Sequence, residues 1–218
     1  MTFAQIYTLV YTIFYLLLIF LALSFSIISY RIGNKKYLYL AIIFFVTLVV
    51  ESFASKIQNV RLIFTLYRIY NPIEYALFSL YYLKAYGDGK FKTAILYSIS
   101  LFFLISYYYS FWLSDRTKIP AENIIVEGIL LFIMYVHLLF HLDGSKYKFI
   151  YHIPDFWICV GILIFAGVSP VLYGLYLYNY HYAGVFYLWI GRPLNILQYS
   201  CLSIGTILLA WKSKQFIQ

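Results

Sequence analysis

Along this chain, long apolar stretches run until they meet a short cluster of Gly, Asn, Asp, Pro and Lys. The clusters are "RIGNKK", "KIQNVR", "GDGKFK", "SDRTKIPA", "DGSKYKFIYH" and "NYHYAG", residue types that form turns and end helices. A helix crossing the hydrocarbon core of a bilayer takes about 20 predominantly apolar residues. The stretches between clusters predict seven such helices, at 5–30, 37–57, 62–86, 93–113, 122–142, 154–178 and 185–211. The expected fold class is all-α, a polytopic integral membrane protein with seven transmembrane helices in one bundle. Residues 1–218 form a single transmembrane domain, because no loop is long enough to hold another. No internal repeat is visible, and an odd number of spans argues against a duplicated transporter.

Composition points the same way. Of 218 residues, 64% are hydrophobic and 11% are charged, against about 25% charged in soluble domains. Most of the surface must therefore face lipid. The net charge of +8 does not imply nucleic acid, since the cations sit in short runs between apolar segments, where they orient helices and meet anionic headgroups. Cys159 and Cys201 fall inside apolar segments and suggest no disulfide framework. The first thirty residues carry no charge, whereas a signal peptide has a positive region before its apolar core. The expectation is a first helix that stays in the membrane.

Orientation follows from the loops. The first, third and fifth loops and the C-terminal tail hold Arg31, Lys35, Lys36, Lys84, Lys90, Lys92, Lys146, Lys148, Lys212 and Lys214. The second and fourth hold only Lys56, Arg61, Arg116 and Lys118. Cation-rich loops stay in the cytoplasm, so the N-terminus is expected outside and the C-terminus inside a bacterial inner membrane. Aromatic belts mark the expected interfaces: "SYYYSFW" closes the fourth helix, and Tyr173, Tyr176, Tyr178, Tyr180 and Tyr182 crowd the sixth loop.

A few polar residues interrupt the apolar spans. A charged side chain at membrane depth costs about 2.5–3.5 kcal/mol on insertion scales and should face the bundle interior. In the third helix, Tyr67, Arg68, Asn71, Glu74, Tyr75, Phe78 and Tyr82 share an arc of about 120° at 100° per residue. Pro72 leaves the carbonyl of Arg68 without its helical donor, and Pro193 does the same for Trp189. The seventh helix places Arg192, Asn195 and Tyr199 on one face with Gln198 at its edge, the fifth contributes Glu127, and the second contributes Glu51 near its end. With the orientation above, these residues converge in the outer half of the membrane. They are the expected ligand-binding set: Glu51, Arg68, Asn71, Glu74, Glu127, Arg192, Asn195 and Tyr199. The same residues would equally serve as an ion-pair network that fixes helix order. Prolines beside the charges favour a pocket, because irregular backbone at this depth is tolerated where it lines a cavity.

Other motifs weigh less. "NPIEY" at 71–75 matches letters of a receptor motif that ends a seventh helix, but it stands in the third. A retinal protein needs a lysine in its last span, and 185–211 has none. His137 and His141 have the four-residue spacing of metal ligands, with His152 and Asp155 as further candidates for a zinc site loosely similar to that of seven-helix hydrolases. The competing reading places interfacial histidines at a helix end, with Asp155 at the positive end of the sixth helix. No Gly-rich phosphate loop or Ser/His/Asp set is present, so no catalytic residue and no cofactor are expected.

The segments "YNPIEYALFSLYYL", "IPDFWICVGILIFAGVSP" and "LWIGRPLNILQYSCLSIGTILLAW" resemble stretches of small uncharacterised seven-helix membrane proteins of the Bacteroidetes type, often encoded beside sensor histidine kinases. The resemblance implies a sensory or accessory membrane subunit, with a membrane signalling partner such as a histidine kinase. The function expected is non-enzymatic and receptor-like, with a small polar or zwitterionic ligand held in an outward-facing pocket. Arg68 and Arg192 would meet its anionic groups, and Glu74 or Glu127 a cationic one. The alternatives are a proton-coupled transporter that uses the buried acids and an intramembrane metal-dependent hydrolase.

Overall fold

A computed structural model of the chain describes residues 3–57, 59–86, 91–115, 118–142, 149–178 and 187–215. Lys90, Arg116, Lys146, Lys148, Tyr180, Tyr182, residues 185–186 and the side chains of Lys212 and Lys214 lie outside the described residues. Within the described residues the regular structure is helical. The α-helices are α1 (Phe3–Arg31), α2 (Tyr37–Ala54), α3 (Val60–Tyr86), α4 (Lys92–Tyr108), α5 (Ala121–Phe140), α6 (Pro154–Tyr178) and α7 (Arg192–Gln215). Two wider π-turns extend them, Tyr109–Leu113 after α4 and Tyr187–Gly191 before α7. Together with their π-turns, these helices follow the seven segments expected from the apolar pattern.

Six of the helices are long and apolar enough to cross a membrane; α3 falls outside that set. At 27 residues α3 would still extend about 40 Å at 1.5 Å per residue. Its tyrosines and the charges Arg61, Arg68, Glu74 and Lys84 lower its hydropathy, not its length. The outer faces of the other helices are apolar and uncovered, including Leu17 and Phe20 of α1, Leu104 of α4 and Ile133 of α5. That surface belongs in lipid, and the chain is a helical, multi-pass membrane protein.

The packing order places the site. α1 packs on α2, α2 on α3, α3 on α5, α5 on α6, α6 on α7, and α7 back on α1. Six helices thus form a closed ring, and α4 sits outside it against α3. This explains why α3 is buried over far more than the expected arc. Besides Arg68, Asn71, Glu74, Tyr75, Phe78 and Tyr82, it buries Tyr70, Ser79 and Tyr81. A helix with neighbours on three sides has little lipid-facing surface, so it tolerates polar and aromatic residues that a peripheral span would not.

Small residues let the ring close. At the α6–α7 contact, a Cβ on Gly161 would stand 2.9 Å from the Gln198 carbonyl oxygen, and one on Gly205 would stand 2.8 Å from the Pro154 carbonyl oxygen. On the other side of α6, a Cβ on Gly128 would meet Ser169 Oγ at 2.8 Å. Close backbone approach at small residues is a common way for helices to associate in lipid, where apolar side chains gain little from leaving the hydrocarbon. Cys159 and Cys201 are free thiols buried within this packing.

Polar ties join the same elements. The Tyr135 hydroxyl donates to the Phe78 carbonyl at 2.9 Å, joining α5 to α3. The Asn123 amide donates to Ser106 and Ser110 hydroxyls at 2.8 and 2.7 Å, holding the peripheral α4 to α5. The hydroxyls of Thr47 and Tyr70 pair at 2.7 Å between α2 and α3. At one end of the bundle, Asp155 in the first turn of α6 pairs with Lys36. It also accepts from Tyr37 at 3.1 Å and Tyr81 at 2.5 Å, so one carboxylate joins α2, α3 and α6.

Gly161→Ala and Gly205→Ala should each lower stability in detergent by roughly 1–3 kcal/mol, the usual cost of overpacking, measured by thermal unfolding. Gly174→Ala is the control, because a Cβ there meets open space. It should leave stability unchanged or raise it by up to about 1 kcal/mol through helix propensity.

Candidate functional site

At the end of the bundle away from Asp155, the ring of helices encloses a cavity of about 610 Å³. Its walls come from the C-terminal half of α2, the N-terminal half of α3, Ile119 before α5, the last turns of α6 and the first turns of α7, with Tyr15 of α1. These segments meet because sequential helices reverse direction. The cavity volume falls within the roughly 300–1,000 Å³ of small-molecule sites.

The polar lining consists of two acids, Glu51 and Glu74, and three amides, Asn71, Asn195 and Gln198. Aromatic rings supply much of the rest, including Tyr15, Tyr67, Tyr70, Tyr173, Tyr176 and Tyr199. Tyr67 donates to Glu51 Oε1 at 3.1 Å. Tyr199 stands edge-on to Tyr15 at 5.3 Å and to Phe44 at 6.1 Å, which fixes its ring. The Asn195 amide donates to the Tyr11 hydroxyl at 3.4 Å. Asn71 is 4% exposed, and its amide nitrogen has no hydrogen-bond partner.

Of the eight residues expected to bind a ligand, the cavity brings together Glu51, Asn71, Glu74, Asn195 and Tyr199. Arg68, Glu127 and Arg192 are not among its lining residues. Arg68 is buried, but its guanidinium turns toward the end of α4. It donates to the Ser110 carbonyl and the Ser114 hydroxyl, and to the carbonyls of Asp115 at 2.7 Å and Lys118 at 2.9 Å. The cause is the π-turn. Ser114 N–H donates to the Tyr109 carbonyl at 2.8 Å, which leaves the Ser110 carbonyl without its usual i+4 donor. Final carbonyls of a helix need outside partners, and a cation at that end also meets the negative pole of the helix dipole.

Arg192 turns toward α1. It donates to the Thr8 hydroxyl at 3.0 Å and lies over the rings of Tyr11 and Tyr7, at 4.9 and 5.7 Å from their centroids. It ties the start of α7 to α1. Glu127 is buried on the inner face of α5, with one carboxylate oxygen that has no hydrogen-bond partner. The two arginines expected to meet a ligand's anionic groups therefore hold helix ends, and the cavity wall keeps the acids and amides.

Sequence reasoning missed Tyr70, Tyr173 and Tyr176 as wall residues. Tyr173 and Tyr176 were expected as interfacial belt residues; α6 ends at Tyr178 as expected, and both line the cavity from its last turns. Their spacing of three residues on a helix was the available signal. Tyr178, in contrast, is exposed as an interfacial residue should be. At the other end of the bundle, His137 Nδ1 pairs with the Tyr82 hydroxyl at 2.8 Å, and the rings of His137 and His141 stack at 4.2 Å. Among the described residues, no third His, Cys, Asp or Glu joins them as a metal group would require. Asp155 is instead committed to Lys36, Tyr37 and Tyr81.

No protein-family model, curated protein or solved structure matches the chain, so the geometry carries the functional reading by itself.

Arg68→Met keeps the side chain's bulk and removes its donors. It should cost about 3 kcal/mol, as expected where buried acceptors lose a charged donor, read as a lowered unfolding temperature in detergent. Ligand binding in the cavity should survive at temperatures where the variant stays folded.

Proposed function

We propose that the chain is a non-enzymatic, receptor-like membrane protein with seven spans, in which α3 is a span like the other six. A small polar ligand binds in the cavity, and a partner protein reads the result. The observation that supports this reading is the cavity itself. A space of about 610 Å³ is walled by acids, amides and tyrosines from α1, α2, α3, α6 and α7, inside a ring whose outer faces are apolar. Buried polar groups around a cavity are costly without partners, and a ligand would supply them.

The walls also suggest how occupancy would be transmitted. α3 and α6 carry Pro72 and Pro170 within the helix, and α7 begins with Pro193 directly after a π-turn. Proline removes one helical hydrogen bond, so these helices bend at lower cost than uninterrupted ones. A ligand that draws the α3 and α7 walls together would shift the helix ends where a partner, such as a histidine kinase, could be coupled. Such a shift cannot exceed the ligand's difference in affinity for the two arrangements.

The excess of cations in the first, third and fifth loops supports a cavity mouth on the outer face of a bacterial inner membrane. A membrane-impermeant maleimide should label a cysteine introduced at Ser55 in intact spheroplasts and should label one at Asn34 only after lysis. The reverse pattern would turn the cavity toward the cytoplasm.

The ligand reading is tested by thermal unfolding of the purified protein against a library of small polar metabolites. At least one class should raise the unfolding temperature of the wild type and not that of Leu172→Trp, which fills the cavity. Failure of every class to distinguish the two proteins would leave the polar lining as an interior network. Glu127, a buried acid with an orphan oxygen beside this wall, favours a second reading as a proton-coupled carrier. That reading requires the stabilising compound to cross proteoliposome membranes in response to a pH gradient.

A further inference from the structure

The cavity wall has an imbalance of charge that narrows its ligand. Glu51 and Glu74 line the cavity, and none of the described lining residues is Lys, Arg or His. The nearest cations on the same elements are engaged elsewhere: Arg68 with the end of α4, and Arg192 with Thr8 and two tyrosine rings of α1. Glu74 is 7% exposed, too deep for bulk water to solvate a carboxylate fully. A carboxylate at such depth is stabilised by an opposite charge or else takes up a proton. The protein's own described side chains do not bring that charge into the cavity, so an entering cation would supply it and spare the acid its proton.

Two further features point to the kind of cation. Tyrosine faces and edges surround the acids, with Tyr15, Tyr67, Tyr70 and Tyr199 among them. Aromatic rings attract organic ammonium ions through the ring quadrupole while matching their apolar substituents. A bare metal ion gains little from such walls and prefers a shell of oxygens. Separately, the amide nitrogen of Asn71 lines the same space, buried and without an acceptor. A donor left unmatched this way costs free energy until an acceptor arrives. The ligand should therefore carry a hydroxyl, ester or carbonyl oxygen as well as a cationic centre.

We infer that the cavity binds an organic ammonium ion bearing a hydrogen-bond acceptor, with the cationic head between Glu74, Glu51 and the tyrosine rings and the acceptor on the Asn71 amide. This inference rests on the ligand-binding reading above and replaces the expected zwitterion with a cation. No cationic side chain among the described lining residues matches a ligand's anionic end. The volume of about 610 Å³ leaves room for an apolar body beyond the head group, so a substituted amine fits better than ammonium itself.

The test compares benzoylcholine with 3,3-dimethylbutyl benzoate, which has the same shape but a carbon in place of the charged nitrogen. Binding to the full chain in nanodiscs is followed by calorimetry and by the shift in unfolding temperature. The charged compound should bind at least tenfold more tightly, and Glu74→Gln should reduce that preference to less than threefold. Glu51→Gln serves as the second variant if Glu74→Gln does not fold, with the same direction expected. Equal binding of the two compounds, or a preference that survives both variants, overturns the cation inference and leaves a ligand cavity of another specificity. Binding of neither compound at millimolar concentration overturns the inference, and the metabolite screen against Leu172→Trp then decides separately whether the cavity binds a ligand of another kind.

Discussion

A guanidinium buried among membrane-spanning helices must find acceptors, and the way Arg68 finds them shapes the rest of the bundle. Its donors reach the carbonyls of Ser110, Asp115 and Lys118, the stretch between α4 and α5. The π-turn takes the i+4 donor from the Ser110 carbonyl, and Asp115 and Lys118 lie in the connection beyond it. One side chain on a central helix thus resolves two unfavourable groups at once, a buried cation and a frayed helix end. It also sets how α3 sits against the α4–α5 connection, and thereby the rotation that presents Asn71 and Glu74 to the cavity one and two turns later.

Comparable ties close the remaining gaps. Arg192 fastens α7 to α1 through Thr8 and two tyrosines, and Asp155 gathers α2, α3 and α6 at the opposite end. Glycines at 161 and 205 bring α6 and α7 within backbone contact. The cavity lies where these ties are absent. Its acids and amides are held by their helices, but their polar atoms are not all matched, as the Asn71 amide shows.

The position of α3 explains how one chain combines a lipid-facing exterior with a polar interior. It touches α2, α4 and α5 and so presents little surface to hydrocarbon. Charges that would be costly on α1 or α4 are tolerated there because protein surrounds them. Its weak apolar character is therefore a consequence of its place in the ring. The histidines at 137 and 141 follow a related logic, stacked on each other and among Tyr82, Tyr86 and Phe91 at the end of α5.

The apolar pattern by itself determined the helical class, the extents of the helices and the membrane setting, because burial in hydrocarbon constrains every position in a span. Helical spacing also identified five residues of the cavity wall: Glu51, Asn71, Glu74, Asn195 and Tyr199. What it did not determine was the partner of each inward-facing charge. Periodicity gives a side chain's direction about its own helix axis, not which helix stands opposite. Only the ring order, with α4 displaced and α1 closing on α7, decided that Arg68 meets a helix end, that Arg192 meets tyrosines, and that the cavity keeps its acids without a cation. Long flexible side chains magnify the difference, since an arginine reaches several ångströms along whichever neighbour offers acceptors.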